Sequence, residues 1–348
     1  MCLYPRLIRN RKYTKTKKNG GNIPPVTDKR VLMVPVGCQK CIECRKQKTR
    51  GWQIRLHEDI KEHRNGKMVT LTFSNESIAK LYERSSKILG YELDNEIATI
   101  AVRLFLERWR KKYKKSLRHF LITELGHNGT ENVHLHGIVW TDKPLEEIEA
   151  IWGYGYVWKG KEQLGKLINY VSERTVNYIV KYITKTDPKH PGYNPKILTS
   201  PGIGRHYMNR VDWQNNKFNG TKTIETYRTN TGHKISLPIY WRNKIYSEEE
   251  REKLWLQRLD KEERWVCGER VKISNGEQDY YRVLKFYRER NIKMGYGSDE
   301  DNWERKEYEK QRRMLKQKER IKKGQEILEK LFGVTKTTIR GCRPEPRG

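Results

Sequence analysis

The chain has 348 residues, of which 35% are hydrophobic and 33% are charged. Lys and Arg number 73 against 43 acidic residues, a formal net charge of +30. This basic excess favours a polyanionic partner, because binding to phosphates releases condensed counterions. No apolar run approaches the roughly 20 residues of a transmembrane helix, and the N-terminus lacks the apolar segment of a signal peptide. We therefore expect neither a membrane span nor export, and a reducing cytoplasm is the expected compartment.

Residues 1–50 are strongly basic, with 14 Lys and Arg against 2 acids. They contain Gly20-Gly21 and Pro24-Pro25 and show no helical period. This composition predicts an extended basic arm that ends in a cluster of cysteines. The predicted division of the chain is the arm over 1–50, a central domain over 51–245 and a charged region over 246–348.

The cysteines of the arm are spaced C-x₂-C-x₂-C, and a fourth cysteine is the second residue of the chain. Four such thiolates suit a structural Zn²⁺ ion, although the same spacing also occurs in iron–sulfur ligation. Reduced free thiols are the third alternative. A disulfide framework is disfavoured in a reducing compartment. The candidate zinc ligands are Cys2, Cys38, Cys41 and Cys44, whereas Cys267 and Cys342 are solitary.

The central domain opens with a helical period over 47–63, followed by a β-branched, alternating strand over 67–73. A helix capped by Asp94 is predicted over 94–117, with its apolar side chains four residues apart. Residues 103–118 hold 8 basic residues and 1 acid. They form either a solvated helix face or a face that follows a phosphate backbone.

Two strands over 118–124 and 133–140, joined by a polar turn over 126–130, have the signature of a hairpin. Side chains alternate along a strand, so His134 and His136 point to one face of the sheet. Two imidazoles on one face form a bidentate clamp for a divalent metal. A His-x-His pair that arises by chance is the alternative for this motif taken alone.

Such a site needs a third ligand, and Glu124 is the predicted one because it ends the neighbouring strand on a same-face register. His127 is the reserve candidate, and Gly137 is expected to leave room beside the histidines. Two imidazoles and one carboxylate with open positions suit Mg²⁺ or Mn²⁺ that holds a phosphate oxygen.

A short helix over 144–151 and a strand over 153–158 come next, and then a helix over 167–186 that Asp187-Pro188 ends. This second helix carries two tyrosines at i and i+4, which share one face, with a lysine three residues after each. A packing face is the alternative explanation. As nucleophiles, the phenols would be assisted by the ammonium groups and by a metal-polarised phosphate. The residues concerned are Tyr178, Lys181, Tyr182 and Lys185.

The last hundred residues are dense in Glu, Lys and Arg, which predicts long solvated helices over 248–260 and 302–330. Exposed aromatic side chains of the central domain could stack on unpaired bases, although packing is the favoured role for each. These aromatic residues are Trp152, Tyr154 and Trp158.

Several of these segments together resemble the replication initiators of microviruses, small single-stranded-DNA bacteriophages, and the gokushovirus branch fits best. The resemblance covers roughly residues 1–245, and its most specific part is the paired-tyrosine motif. The segments that carry it are residues 1–5, 38–47, 70–73, 134–137, 154–156, 178–185 and 200–204.

The resemblance implies an α+β fold with a central antiparallel sheet and packed helices, the fold of histidine-hydrophobic-histidine (HUH) endonucleases. It implies initiation of rolling-circle replication by origin-specific nicking, with a covalent 5′-phosphotyrosine intermediate and later strand rejoining. The metal histidines would be His134 and His136, and Tyr178 and Tyr182 would alternate as nucleophiles. Lys181 and Lys185 match the lysines of the family.

The implied partners are single-stranded and replicative-form phage DNA, a host helicase and a host DNA polymerase, in the bacterial cytoplasm. Two alternatives remain at this stage. A plasmid relaxase or a transposase would use the same chemistry, whereas a non-catalytic nucleic-acid-binding protein would use only the zinc knuckle and the basic arm.

Overall fold

A computed structural model of the protein describes residues 2–127, 131–163, 166–298 and 303–332. Within these residues the chain forms nine α-helices and a five-stranded antiparallel sheet, together with four two-stranded sheets. The predicted α+β class is therefore confirmed. In the same residues, no helix combines the length and the apolar character needed to cross a bilayer.

The elements are numbered in chain order. The strands are β1 (Arg6–Arg9), β2 (Met33–Val36), β3 (Gly66–Leu71), β4 (Arg118–Leu125), β5 (Val133–Trp140), β6 (Val157–Trp158), β7 (Lys161–Gln163), β8 (Lys166–Ile168), β9 (Ile197–Thr199), β10 (Thr226–Arg228), β11 (Lys234–Ser236), β12 (Glu263–Val266) and β13 (Glu269–Lys272). The helices are α1 (Ile42–Glu62), α2 (Asn75–Tyr82), α3 (Tyr91–Tyr113), α4 (Leu145–Trp152), α5 (Glu173–Thr184), α6 (Ile239–Ile245), α7 (Glu248–Asp260), α8 (Gln278–Lys293) and α9 (Trp303–Phe332).

The chain divides into two compact units. The first unit comprises residues 1–64, 172–192 and 201–302, and the second comprises 65–171, 193–200 and 303–348. Each unit is thus built from segments that are distant in sequence. The division at residues 50 and 245 rests on composition and stays a prediction.

The second unit is built on the five-stranded sheet, whose strand order is β6-β3-β5-β4-β9. The predicted hairpin is confirmed, since β4 and β5 pair antiparallel; residues 128–130 of its predicted turn lie outside the described residues. One face of the sheet buries Leu121, Leu135 and Val139 against Ile97 and Phe105 of α3. The predicted apolar stripe of α3 therefore faces the core.

In the first unit, the N-terminal segment is folded rather than extended. β1 and β2 pair antiparallel, and Leu3, Tyr13 and Val31 are buried. α1 begins at Ile42, five residues before the predicted start. Its first turn is apolar and packs into a small core, which the cysteine spacing did not reveal.

Two helix starts differ from the prediction. α3 begins at Tyr91, so Asp94 lies in the first turn and is not the cap; its carboxylate instead accepts hydrogen bonds from Arg313. α5 begins at Glu173 and not at 167. A capping box between Ser172 and Thr175 starts the helix there, because it satisfies the free N–H groups of the first turn.

The prediction that the last helix is solvated is wrong for α9. This helix packs against α2 in the second unit and buries Arg313, Gln317 and Ile321. Gln317 exchanges two hydrogen bonds with the backbone of Gly90. Polar anchors rather than an apolar seam hold α9, so its hydrophobic pattern carried little signal.

Candidate active site

The strand register places Glu124 of β4 directly opposite His134 of β5. One carboxylate oxygen, Oε2, lies 3.1 Å from Nε2 of His134 and 2.8 Å from Nε2 of His136. The three ligand atoms lie within 4.8 Å of one another. The predicted same-face register of Glu124 is therefore confirmed, and the reserve candidate His127 is not a member of this cluster. We call these three residues the triad.

The second ring nitrogen of each histidine is also held. Nδ1 of His136 lies 3.0 Å from Oγ1 of Thr70, the residue opposite it on β3. Nδ1 of His134 lies 3.3 Å from the carbonyl oxygen of Asn132. When Nδ1–H donates to these oxygens, the Nε2 lone pairs face the same side as the Glu124 carboxylate.

This donor set fits a divalent cation. Two neutral imidazoles and one carboxylate, with their outer nitrogens hydrogen-bonded, are a common arrangement around metals with open positions. The side chains are 12–19% exposed, so they are neither sealed in the core nor fully solvated. A cation of suitable size could replace the present hydrogen bonds between Glu124 and the two histidines.

Gly137 has a different role from the one expected. A Cβ at this position would lie 2.0 Å from the carbonyl oxygen of Phe120 and 2.8 Å from Cα of Leu121. The missing side chain therefore makes room for the backbone of β4 and not for a metal. Gly137 keeps the β4–β5 hairpin close, and the hairpin carries the triad.

The two tyrosines lie on α5 in the first unit. Their hydroxyl oxygens are 2.7 Å apart, so one phenol donates a hydrogen bond to the other. Tyr178 is 41% exposed, whereas Tyr182 is only 7% exposed. The predicted common face of the pair is confirmed, but the two phenols have unequal access to a substrate.

The two lysines flank the tyrosine rings. Nζ of Lys181 lies 3.8 Å from the ring centroid of Tyr178 and 5.6 Å from that of Tyr182. Nζ of Lys185 lies 5.6 Å from the Tyr182 ring. Lys185 is the C-cap residue just after α5 and not a residue of the helix. Both ammonium groups add positive charge beside the phenols.

The opposite side of α5 is fastened to α1 within the first unit. The side-chain oxygen of Asn177 accepts a hydrogen bond from Gln53 (2.7 Å) and lies 3.2 Å from Nε2 of His57. Burial lowers the pKa of His57, which favours its neutral form. The sequence contained no short-range signal for these contacts, because Gln53 and Asn177 are far apart along the chain.

The four clustered cysteines also come together in the first unit, with their sulfur atoms within 4.8 Å of one another. Cys267 is not a member of this cluster, and Cys342 lies outside the described residues. Among the described residues all the cysteines are free thiols, so none forms a disulfide.

Two other expectations fail in part. Trp152 is fully buried and donates from Nε1 to the carbonyl of Thr72, so packing is its role. The guanidinium of Arg108 donates to the carbonyls of Ile151 and Trp152 and to the hydroxyl of Tyr154. Arg108 therefore serves the fold and is not available to a phosphate.

A family model described as a replication-associated protein of the ORF2 type matches residues 66–187. The match supports a rolling-circle replication initiator. It contains both the triad and the tyrosine pair, but not the cysteine cluster. No curated protein and no solved structure matches the chain.

Proposed function

We propose that the protein is an HUH-type endonuclease and strand transferase that initiates rolling-circle replication at a specific origin. The observation that carries the proposal is the sharing of one Glu124 oxygen between Nε2 of His134 and Nε2 of His136. A matched replication-associated segment that also contains two adjacent phenols gives this donor set a reaction to serve.

In this proposal the triad holds Mg²⁺ or Mn²⁺. The bound cation polarises a phosphate oxygen of the scissile phosphodiester and offsets developing negative charge. Thr70 and Asn132 orient the two imidazoles through their Nδ1 atoms, so the ligands are arranged before the substrate arrives.

A tyrosine supplies the nucleophile. Its oxygen attacks phosphorus, the new O–P bond forms, and the bond from phosphorus to the 3′ oxygen breaks. The phenol loses its proton to solvent and the departing 3′ oxygen takes one up. The product is a 5′-phosphotyrosine with a free 3′-hydroxyl. One ester replaces another, so the strand can be rejoined without an external energy source.

Tyr178 is the better candidate for the first attack. It is the more exposed phenol, and the ammonium of Lys181 lies against its ring. A hydrogen bond donated by the Tyr182 hydroxyl would also stabilise the Tyr178 phenolate. Tyr182 then serves the second cleavage, when the regenerated origin is cut and the unit-length circle is closed.

The biological setting completes the proposal. We infer that the replicon is a microvirus genome, that the substrate is its replicative form with an exposed single-stranded origin, and that a host helicase and DNA polymerase extend the free 3′-hydroxyl in the bacterial cytoplasm. The net charge of +30 supports a nucleic-acid substrate.

The test is an adduct assay with labelled single-stranded oligonucleotides tiled across the replicon that encodes the chain, in the presence of Mn²⁺. We expect a protein–DNA adduct that survives SDS and disappears with EDTA and in the Tyr178→Phe/Tyr182→Phe double variant. Tyr281→Phe, which removes an exposed phenol on α8, is the matched control and should leave the adduct unchanged.

The single variants test the order of attack. Tyr178→Phe should lower the first cleavage far more than Tyr182→Phe. Equal losses would contradict the assigned order. Tight DNA binding without any adduct, whatever the metal, would instead favour the non-catalytic binding protein.

A further inference from the structure

We propose that Cys2, Cys38, Cys41 and Cys44 bind a structural Zn²⁺ ion that fastens the start of α1, the helix on which the tyrosine helix α5 packs. This site is separate from the triad, and the argument for it does not depend on the proposed nuclease activity. It rests on the sulfur geometry, the backbone around the sulfurs, the burial of the cluster and its place in the first unit.

The sulfur atoms already have tetrahedral spacing. Sγ of Cys2 lies 3.9 Å from Sγ of Cys41, and Sγ of Cys38 lies 4.0 Å from Sγ of Cys44. Zinc–sulfur bonds of about 2.3 Å set the sulfur–sulfur edge of a regular tetrahedron at about 3.8 Å. A disulfide would need a separation of about 2.05 Å, so these pairs do not have the spacing of disulfide bonds.

The backbone around the cluster suits thiolates. Sγ of Cys2 accepts hydrogen bonds from the N–H groups of Tyr4 (3.3 Å) and Cys38 (3.2 Å), and Sγ of Cys38 accepts one from the N–H of Cys41 (3.3 Å). Donors aimed at sulfur stabilise its charged form, which is the form that binds a metal.

Two backbone features bring the segment before α1 close to the sulfurs. Gln39 takes up the left-handed conformation, with φ of 65°, inside the first C-x₂-C turn. Gly37 passes so near the cluster that a Cβ would lie 2.9 Å from Sγ of Cys44. The strained turn and the close approach indicate that this segment is shaped around the four sulfurs.

A Zn(Cys)₄ centre keeps a net double negative charge, which needs a nearby cation. Arg45 is buried beside the cluster and interacts electrostatically with Cys38 and Cys41. Its guanidinium also donates to the carbonyl oxygens of Lys40 (3.1 Å) and Lys185 (3.4 Å). One side chain thus connects the cluster with the end of the tyrosine helix.

The cluster is closed, which favours a structural role over a catalytic one. Cys41 and Cys44 are buried in a small core with Leu3, Val266 and Leu284. Four protein sulfurs fill a tetrahedron and leave no position for a substrate. This core is where β12 and α8 of the charged C-terminal region find their packing partners.

The ion would fix the helix on which α5 rests. Cys41 is the N-cap of α1 and Cys44 lies in its first turn, while the N–H of Ile42 is bonded to the Asn291 side chain (2.8 Å). Further along, α1 packs on α5. Loss of zinc would free the start of α1 and loosen the support of the tyrosine helix.

The test begins with the full chain purified without chelators. We expect about one zinc per chain by elemental mass spectrometry, and four mercurial-titrated thiols for each zinc released. Replacement by Co²⁺ should produce the intense visible bands of a tetrahedral cobalt thiolate. Iron with acid-labile sulfide, or a metal-free chain whose four cysteines are alkylated readily in the native state, would overturn the proposal.

A variant pair locates the site. Cys41→Ser/Cys44→Ser should lose zinc and melt at a lower temperature, whereas the matched control Cys267→Ser should keep both zinc and melting temperature. Zinc retained by the double variant would contradict the assignment. If the double variant does not fold, the zinc content and cobalt spectrum of the wild-type chain still decide the matter. None of these measurements reads nuclease activity, so they are independent of the nicking assay.

Discussion

The two candidate metal centres of this protein differ in ligands, burial and assembly. The triad offers two nitrogens and one oxygen, all partly exposed, from adjacent strands of one hairpin. The cysteine cluster offers four sulfurs, two of them buried, gathered from the second residue of the chain and the start of α1. The comparison shows that one chain can hold an open centre suited to catalysis and a closed one suited to stability.

The surroundings of the two centres differ in the same direction. The triad is oriented by side chains and a carbonyl that bond the outer nitrogens of its histidines. The cysteine cluster is surrounded by backbone N–H groups that bond the sulfurs themselves. Exchangeable cations with open positions and a tightly held zinc ion are the respective expectations.

Chelation gives the largest expected contrast. Dialysis against EDTA should abolish adduct formation, and added Mn²⁺ should restore it, because three partly exposed ligands hold a hard cation weakly. Zinc in the cysteine cluster should survive the same dialysis, since thiolate sites bind with about 10–16 kcal/mol. Metal analysis before and after dialysis checks both. Loss of both metals at one rate would break the distinction between open and closed centres.

Replacing a ligand of the triad should affect activity and hardly affect stability. His136→Ala should lower cleavage by about 1,000-fold, because the cation loses one of its three protein ligands. Its melting temperature should stay near that of the wild type. His233→Ala, in an exposed loop, is the control and should cleave normally. A cleavage rate within a few-fold of wild type in His136→Ala would remove the triad from the mechanism.

Gly137→Ala should damage the strand on which the open centre depends. A Cβ there would clash with the Phe120 carbonyl, so we expect destabilisation of more than about 3 kcal/mol in urea unfolding. Gly51→Ala is the control, because its Cβ would meet only Cβ of Pro238 at 3.8 Å within a helix. It should be neutral or stabilising by about 0.5–1 kcal/mol. Similar stability of the two variants would contradict the close strand approach.

Thr70→Val should give the smallest effect. It removes the hydroxyl beside Nδ1 of His136 while keeping the shape of the side chain and the β-strand. We expect a roughly 10–100-fold weaker Mn²⁺ affinity, measured as the metal concentration for half-maximal cleavage, with near-normal cleavage at saturating metal. Thr72→Val, two residues further along, is the control. An unchanged metal dependence in Thr70→Val would mean that this hydrogen bond does not tune the site.

The triad was largely predictable because its determinants are local. Alternation along a strand placed His134 and His136 on one face, and a hairpin of adjacent strands brought Glu124 opposite His134. The contacts of Thr70 and Asn132 with the imidazoles were not predicted. They depend on the pairing of β3 with β5 and on the chain path at the start of β5, which no short pattern encodes.

The sequence by itself determined the chemistry-bearing groups: the histidine pair, the tyrosine pair with its lysines, the cysteine spacing and the basic charge. These signals survive because strand and helix periods fix which neighbouring side chains share a face. Only the tertiary structure decided that α9 docks through Arg313, that Gly137 serves the strands and that the first 50 residues fold. Each of these depends on contacts between segments far apart in the chain, whose partners are selected by packing and hydrogen bonding and not by local propensity.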